Sequence, residues 1–153
     1  MDVNINLSQF ENVIQSIQSI VKHSVDIGLV NANDEVMSYA IENEYGTKKI
    51  PARPFYRTGL IDGFRRKTLD MYIKKELEEA LYTGEDWNTF YKKIGEKGEF
   101  FLKDSLLRGG WVPLSEITIK KKGRSTPLID TSNMFNSIGS VVKWYINVHY
   151  QII

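Results

Sequence analysis

Cysteine is absent from the sequence, and histidine occurs only twice, as His23 and His149. The lack of cysteine excludes disulfide scaffolds, thiol nucleophiles and thiolate metal ligands. His23 and His149 stand outside any recognised catalytic or metal-binding pattern, and we interpret them as solvated or helix-end side chains. A glycine-rich phosphate loop and the H-E-x-x-H zinc motif are also missing. We therefore expect no enzymatic activity, no catalytic residues, no metal and no cofactor.

The sequence also lacks an excess of one charge sign and a long apolar run. Lysine and arginine number 20 against 19 acidic residues, a formal net charge of +1, so the whole chain has no general attraction to nucleic acid or membrane. No apolar stretch approaches the length needed to cross a bilayer. The N-terminus carries acidic and amide residues where a signal peptide has basic residues and then an apolar run. These features predict a soluble chain that is not exported by that route and has no membrane partner.

The apolar residues that are present predict an α+β fold. With 153 residues the chain suits one domain, residues 1–153. Apolar spacings of three and four predict an N-terminal helix that begins at Ser8, and two longer central helices over residues 60–81 and 86–108. Alternating apolar residues predict strands over residues 25–29 and 142–152. Because no strand-helix unit repeats, we expect a small antiparallel or mixed sheet packed with these helices.

The second central helix is predicted to carry small residues on its apolar seam. Gly98 and Ser105 share that seam with Trp87, Ile94 and Phe101. Because they have little or no side chain, they would let another backbone approach closely. Such an approach would offset the roughly 1 kcal/mol that an interior glycine costs relative to alanine.

Two interpretations of the segment EVMSYAIENEYG are open. Met37, Ile41 and Tyr45 lie at helical spacing, and Gly46 could end a helix there. Alternate residues from Val36 onward could instead line a strand that returns along the first one. We favour a short helix.

The stretch IPARPFYRTG, residues 50–59, combines two prolines, two arginines and two aromatic residues. Pro51 and Pro54 fix their own φ angles and push the residues before them toward extended conformations, which predicts a stiff, polyproline-like arm over about residues 47–57. It is either a connector, with Phe55 packed on the core and Arg53 paired with a carboxylate, or an arm that contacts a neighbouring subunit. The residue pattern of this stretch is compatible with both alternatives. The candidate intersubunit residues are Pro51, Arg53, Pro54, Phe55, Tyr56 and Arg57.

A basic run follows in the last third of the chain. We predict a short helix that begins at Ser115, then an exposed basic loop over about residues 120–127. Asp130 or Thr131 would cap another short helix that continues to Ile138. The basic side chains could contact DNA phosphates, but we favour a solvated loop or a protein contact because neither a recognition helix nor an aromatic platform accompanies them. The candidate partner or DNA contacts are Lys120, Lys121, Lys122 and Arg124.

Two stretches carry a resemblance to a known family. YAIENEYGTKKIPARPFYRTGL and WVPLSEITIKKKGRSTPLIDTSNMFNSI resemble, in the same order, two motifs of small neck and tail-completion proteins of tailed bacteriophages and phage-like tails. Together they cover about a third of the chain. Ser132 departs from the family pattern, which commonly has glycine at that point. The motif positions matched in this chain are Gly46, Trp111, Pro113, Thr118, Asp130 and Thr131.

The resemblance implies a structural virion protein with a small α+β fold and no enzymatic activity. Such a protein forms a homo-oligomeric ring, a hexamer or dodecamer, at the head-tail junction, or it caps the tail tube. The implied partners are further copies of the chain, adjacent neck, connector, tail-tube or sheath proteins, and DNA that passes through the channel. The implied location is the virion, and the host cytoplasm during assembly. The alternative function is a DNA-binding accessory factor that uses the basic loop.

Overall fold

The computed structural model describes residues 7–123, 125–128 and 132–144. A small antiparallel sheet accompanies mostly helical structure, which confirms the predicted α+β class. A π-helical turn, Arg57–Ile61, precedes the first long helix and is called the π turn. The other elements, in chain order, are α1 (Leu7–Ile20), β1 (His23–Gly28), α2 (Asp34–Tyr45), α3 (Gly63–Thr83), α4 (Trp87–Arg108), α5 (Glu116–Lys122), α6 (Asn133–Ser137) and β2 (Gly139–Trp144).

The two strands form an antiparallel pair. The register runs from His23 opposite Trp144 to Gly28 opposite Gly139. Both strands begin earlier than their alternation predicts, because the residues added at the start of each strand pair with residues of the other strand. The rest of the predicted second strand, residues 145–152, lies outside the described residues.

The long helix α4 lies at the centre and contacts both strands, α3 and the π turn. A Cβ atom added at Gly98 would overlap the Ile27 side chain of β1. Ser105 is fully buried, and a Cβ atom at Gly59 of the π turn would lie 3.3 Å from its Cβ atom. The predicted close approach of another backbone is therefore confirmed at Ser105, whereas at Gly98 a side chain, that of Ile27, occupies the space.

The helical interpretation of the segment after β1 is confirmed as α2. The Asn33 side chain accepts a hydrogen bond from the Val36 amide at 2.9 Å, which satisfies one of the free amides at the start of the helix. Gly46 ends the helix with a φ of 76°, and its amide donates to the Glu42 carbonyl oxygen. That left-handed φ suits glycine, which has no Cβ atom to clash.

The loop prediction for the three consecutive lysines is wrong. Ser115 caps α5 as predicted, but Lys120, Lys121 and Lys122 form the last turn of that helix rather than a loop. Cations are favoured there because the carbonyl groups at a helix C-terminus carry partial negative charge. Gly123, with a φ of 70°, then ends the helix. Arg124 lies outside the described residues.

The short helix α6 has Ser132 at its N-terminal boundary and Ile138 at its C-terminal boundary. The helix ends at Ser137, one residue before the predicted end at Ile138, where the backbone becomes extended. The predicted capping residues Asp130 and Thr131 lie outside the described residues.

The buried apolar side chains form two clusters, and Ile73 of α3 packs against both. Alternate residues of β1 divide between them, with Val25 on the smaller cluster and Ile27 on the larger. Within the described ranges, no helix combines the length and apolarity needed to cross a membrane. The larger cluster contains Ala40, Phe55, Leu60, Leu69, Phe101, Leu102, Leu106, Leu128, Met134 and Ile138, and the smaller contains Ala80, Trp87, Phe90 and Ile94.

Candidate interaction surfaces

Residues 46–57, which we call the connector, start with a tight turn. The Thr47 amide donates to the Ile50 carbonyl oxygen at 2.8 Å. The Thr47 hydroxyl oxygen accepts from the Lys49 and Ile50 amides at 3.1 and 3.0 Å. A Cβ atom at Gly46 would lie 2.9 Å from the Ala52 nitrogen, so only glycine fits at the start of this turn.

Arg53 and Phe55 of the connector point into the fold. Their relative exposures are 4% and 2%. The Arg53 Nε atom donates to the Val112 carbonyl oxygen and its Nη1 atom donates to the Asn43 side-chain oxygen, both at 3.2 Å. The interpretation as a projecting intersubunit arm is therefore corrected for these two residues, because both side chains turn inward. Phe55 packs in the larger apolar cluster, and Arg53 lines a groove described below. The connector alternative also needs correction, since Arg53 binds neutral acceptors rather than a carboxylate.

Glu44, which the sequence analysis did not assign, fixes the end of the connector. This carboxylate is 7% exposed. Its oxygens accept hydrogen bonds from the Tyr56 amide at 2.8 Å, the Arg57 amide at 3.2 Å and the Arg57 Nε atom at 3.0 Å. The Arg57 guanidinium also lies over the Tyr45 ring, 5.5 Å from its centroid. The sequence signal for this role is the position of Glu44 in the first family-like stretch, two residues before Gly46.

The two family-like stretches meet in the fold. Arg53 in the first binds the carbonyl of Val112 in the second, 59 positions later. The neighbouring Trp111 Nε1 atom donates to the Ser105 carbonyl oxygen at 3.0 Å, which ties the second stretch to the end of α4. Thr118 donates its amide to the Ser115 hydroxyl at 3.2 Å, within the first turn of α5. Between the stretches lies a groove of about 390 Å³, the Arg53 groove, lined among others by Asn43, Lys49, Pro51, Arg53, Pro113 and Thr118.

The outward side of the connector borders a second groove of about 350 Å³. Tyr56 and Arg57 line it, so these two predicted arm residues do lie at the surface, while Pro51 is exposed elsewhere and Pro54 is half-buried. The apolar side chains of α2 that predicted a helix also line this groove instead of packing inside. We call the apolar set Met37, Ile41, Tyr45, Tyr56 and Ile61 the α2 groove; their exposures are 39%, 52%, 70%, 37% and 51%.

The basic run divides into two environments. Lys120 and Lys121 are exposed at the end of α5. The Lys122 Nζ atom instead lies 5.7 Å from the centroid of the Tyr39 ring and 3.5 Å from its hydroxyl oxygen. The three described lysines of the basic run therefore do not form one uniform charged surface.

His23 is a helix-end side chain, as predicted. Its Nδ1 atom lies 2.9 Å from the Ser19 carbonyl oxygen in the last turn of α1. The ring stacks between those of Tyr91 and Trp144, with centroid distances of 6.0 and 5.8 Å. His149 lies outside the described residues, and those that are described contain no group of three side chains placed to hold a metal ion.

Two groups with shifted pKa values, Lys93 and Asp86, stabilise helix contacts. Lys93 of α4 binds Glu85 at 2.8 Å and the buried Glu76 of α3 at 3.2 Å. The hydrogen bond to Glu85, followed by that to Glu76, raises the pKa of Lys93 above its ordinary value. Asp86 accepts from the Asn88 and Thr89 amides, and the Thr89 hydroxyl lowers the pKa of Asp86. These contacts fix the start of α4.

Comparisons of the chain with protein-family models, curated proteins and solved structures find no match. The resemblance to neck and tail-completion proteins accordingly rests on the two quoted stretches. The contacts described above show how this chain folds those stretches together.

Proposed function

We propose that the chain is a structural virion protein that forms a homo-oligomeric ring at the head-tail junction of a tailed phage or phage-like particle, or caps the tail tube. The observation that carries this proposal is the meeting of the two family-like stretches through Arg53 and the Val112 carbonyl. Because distant motif residues support one another, the resemblance concerns one folded unit rather than two separate short matches. The implied neighbours are connector, neck, tube or sheath proteins.

The α2 groove is the surface that we assign to contact between copies. Exposed apolar patches on a folded domain commonly mark interaction sites. A ring requires each copy to present one surface to a different surface of the next, and the α2 groove would supply one of these two surfaces. Arg57, held beside the groove by Glu44, supplies a polar rim.

A structural role without enzymatic activity fits the titratable groups whose surroundings are described. Lys93 joins α3 to α4, and Asp86 caps α4. Each thus has a structural task that accounts for its altered pKa. Strongly shifted pKa values are common at catalytic sites, but ion pairs and caps produce them as well.

Deletion of the gene from the genome that encodes it tests the proposed function. Electron microscopy should then show heads and tails that fail to join, or tails with abnormal upper ends. Mass spectrometry of purified wild-type particles should detect the chain as a virion component. Normally completed particles in the absence of the gene would contradict the proposal.

A DNA-binding accessory role is the second candidate, favoured by exposed Lys120 and Lys121. Duplex DNA binding at increasing salt tests it. If each lysine pairs with one phosphate, Lys120→Ala and Lys121→Ala should each reduce the slope of log affinity against log salt by about 0.9. Binding that does not depend on salt, or an unchanged slope in the double variant, would reject this role.

A further inference from the structure

Arg53 is a buried cation without a nearby anion. Its exposure is 4%, and its two side-chain hydrogen bonds go to a neutral amide and a neutral carbonyl. No carboxylate of the described residues lies within 4.0 Å of the guanidinium. Burial of a charge is unfavourable unless the charge is paired and hydrogen-bonded. The surroundings of Arg53 therefore favour the arrival of an anion from outside the described chain.

The Arg53 groove gives such an anion a route to the guanidinium. Arg53 and Asn43 are the buried members of its lining and form its floor. A guanidinium has five N–H groups, of which the two hydrogen bonds to Val112 and Asn43 use two. One N–H group on Nη1 and two on Nη2 remain, and they are donors that a carboxylate can accept from.

The rim and walls indicate what kind of molecule carries the anion. Lys49 adds an exposed positive charge at the rim, and Pro51 and Pro113 provide apolar surface beside it. We propose that the Arg53 groove receives the carboxylate of an aspartate or glutamate side chain from a partner protein. Arg53 binds the carboxylate, Lys49 attracts it, and the two prolines contact the neighbouring part of the partner.

A carboxylate fits this groove better than the phosphate of duplex DNA. A side-chain carboxylate lies at the end of a short, narrow aliphatic chain and can therefore enter the groove and reach Arg53, which is 4% exposed. A DNA phosphate is flanked by sugars on both sides, so it contacts exposed cations more readily than a buried one. The proposal concerns only this groove and does not depend on the ring function.

Titration of the full-length, ¹⁵N-labelled protein with two blocked tripeptides tests the proposal. Acetyl-Gly-Glu-Gly-amide should shift the Arg53 Nε–Hε signal and the amide signals of residues 49–53 and 114–118 in a saturable way. Acetyl-Gly-Gln-Gly-amide has nearly the same shape without the charge, and it should bind about tenfold more weakly because its neutral amide cannot form an ion pair with Arg53 and offers one acceptor oxygen instead of two. Equal binding of the two peptides, or saturable shifts only elsewhere, would overturn the proposal.

Adjacent lysines provide matched variants that keep Arg53 in place. Lys49 lines the groove, whereas Lys48 is exposed outside it. Lys49→Glu should weaken binding of the glutamate peptide about two- to fivefold, the range for an exposed charge pair, and Lys48→Glu should leave it unchanged. An equal loss in both variants would mean general charge attraction and would overturn the proposal.

Inorganic phosphate is the third probe, and it separates carboxylate from phosphate recognition. If phosphate saturates the same signals about tenfold more tightly than the glutamate peptide does, the site is a phosphate site and the carboxylate assignment is wrong. If phosphate binds more weakly, the assignment is supported. Arg53→Lys, measured where its melting temperature stays near that of the wild type, should lose most of the peptide affinity because the planar fork is gone.

Discussion

The connector has an inner side that is buried in the fold and an outer side that is exposed. On the inner side, Phe55 joins the larger apolar cluster and Arg53 lies beneath a groove. On the outer side, Tyr56 and Arg57 border an exposed apolar surface formed mainly by α2. One short proline-rich stretch therefore contributes both to folding and to the surface available to partners. We therefore expect substitutions on the buried inner side to lower the unfolding free energy, and substitutions on the exposed outer side to weaken association between copies.

Phe55→Ala should give the largest effect on stability. Loss of a buried phenylalanine removes apolar contacts and leaves a cavity, which costs about 3–5 kcal/mol of unfolding free energy. Tyr45→Ala on the outer side, where the side chain is 70% exposed, should cost less than about 0.5 kcal/mol. Chemical denaturation of both variants measures the difference. Similar losses of unfolding free energy in Phe55→Ala and Tyr45→Ala would contradict the distinction between a buried inner side and an exposed outer side.

Glu44→Gln should give the next largest effect, because this buried carboxylate holds the outer residues in place. The substitution weakens its charge-assisted hydrogen bonds to Tyr56 and Arg57 and should cost about 1–3 kcal/mol. Glu42→Gln changes an exposed residue of the same helix and serves as the control. Equal denaturation midpoints for Glu44→Gln, Glu42→Gln and the wild type would contradict the role assigned to Glu44.

Ser105→Ala tests the effect of a buried hydroxyl in α4. The Ser105 hydroxyl is buried and has no hydrogen-bond partner among the described residues. Its removal should leave stability unchanged or raise it by up to about 1 kcal/mol, because an unsatisfied buried hydroxyl is unfavourable. Ser115→Ala should instead lower stability by about 1 kcal/mol, because it removes the cap of α5. A clear loss in Ser105→Ala would show that the hydroxyl has a partner.

Acid should act on the start of α4, away from both sides of the connector. The pKa of Asp86 lies below its ordinary value of 3.8, chiefly because the Thr89 hydroxyl hydrogen-bonds to the carboxylate. A lowered pKa stabilises the folded chain above the unfolded value, and this contribution is lost as the pH falls through the folded value. Unfolding free energies measured between about pH 5 and pH 2 should fall less steeply in Asp86→Asn than in the wild type. Identical slopes would contradict this contribution.

Local sequence patterns predicted the long helices, the first half of the sheet and α2. They succeeded because apolar spacing and capping residues act within a few positions, as at Ser115 and Gly46. They failed at Lys120–Lys122, where the nearby Gly123 indicated a loop. The Ser115 cap and the partial negative charge at the helix C-terminus instead stabilise a last helical turn there. The residues that favour a helix were visible in the local sequence, but the glycine was given more weight than they were.

The candidate site was less predictable because its contacts are distant in sequence. The burial of Arg53 depends on Asn43 and on Val112, which is 59 positions away. Apolar spacing in α2 indicated a helix, but spacing alone does not say whether Ile41 and Tyr45 are covered. Neither the Arg53 groove nor the α2 groove could therefore be located from residue patterns.

Complementation of the gene deletion with a variant of the α2 groove tests whether this surface joins copies of the chain in a virion ring. Ile41→Asp places a charge in the α2 groove, whereas Met71→Asp places one at a similarly exposed apolar residue of α3; both should change unfolding free energy by less than about 0.5 kcal/mol. Electron microscopy should find completed particles restored by the wild type and by Met71→Asp but not by Ile41→Asp. Restoration by Ile41→Asp at the wild-type frequency would contradict the claim that this surface joins copies in a virion ring.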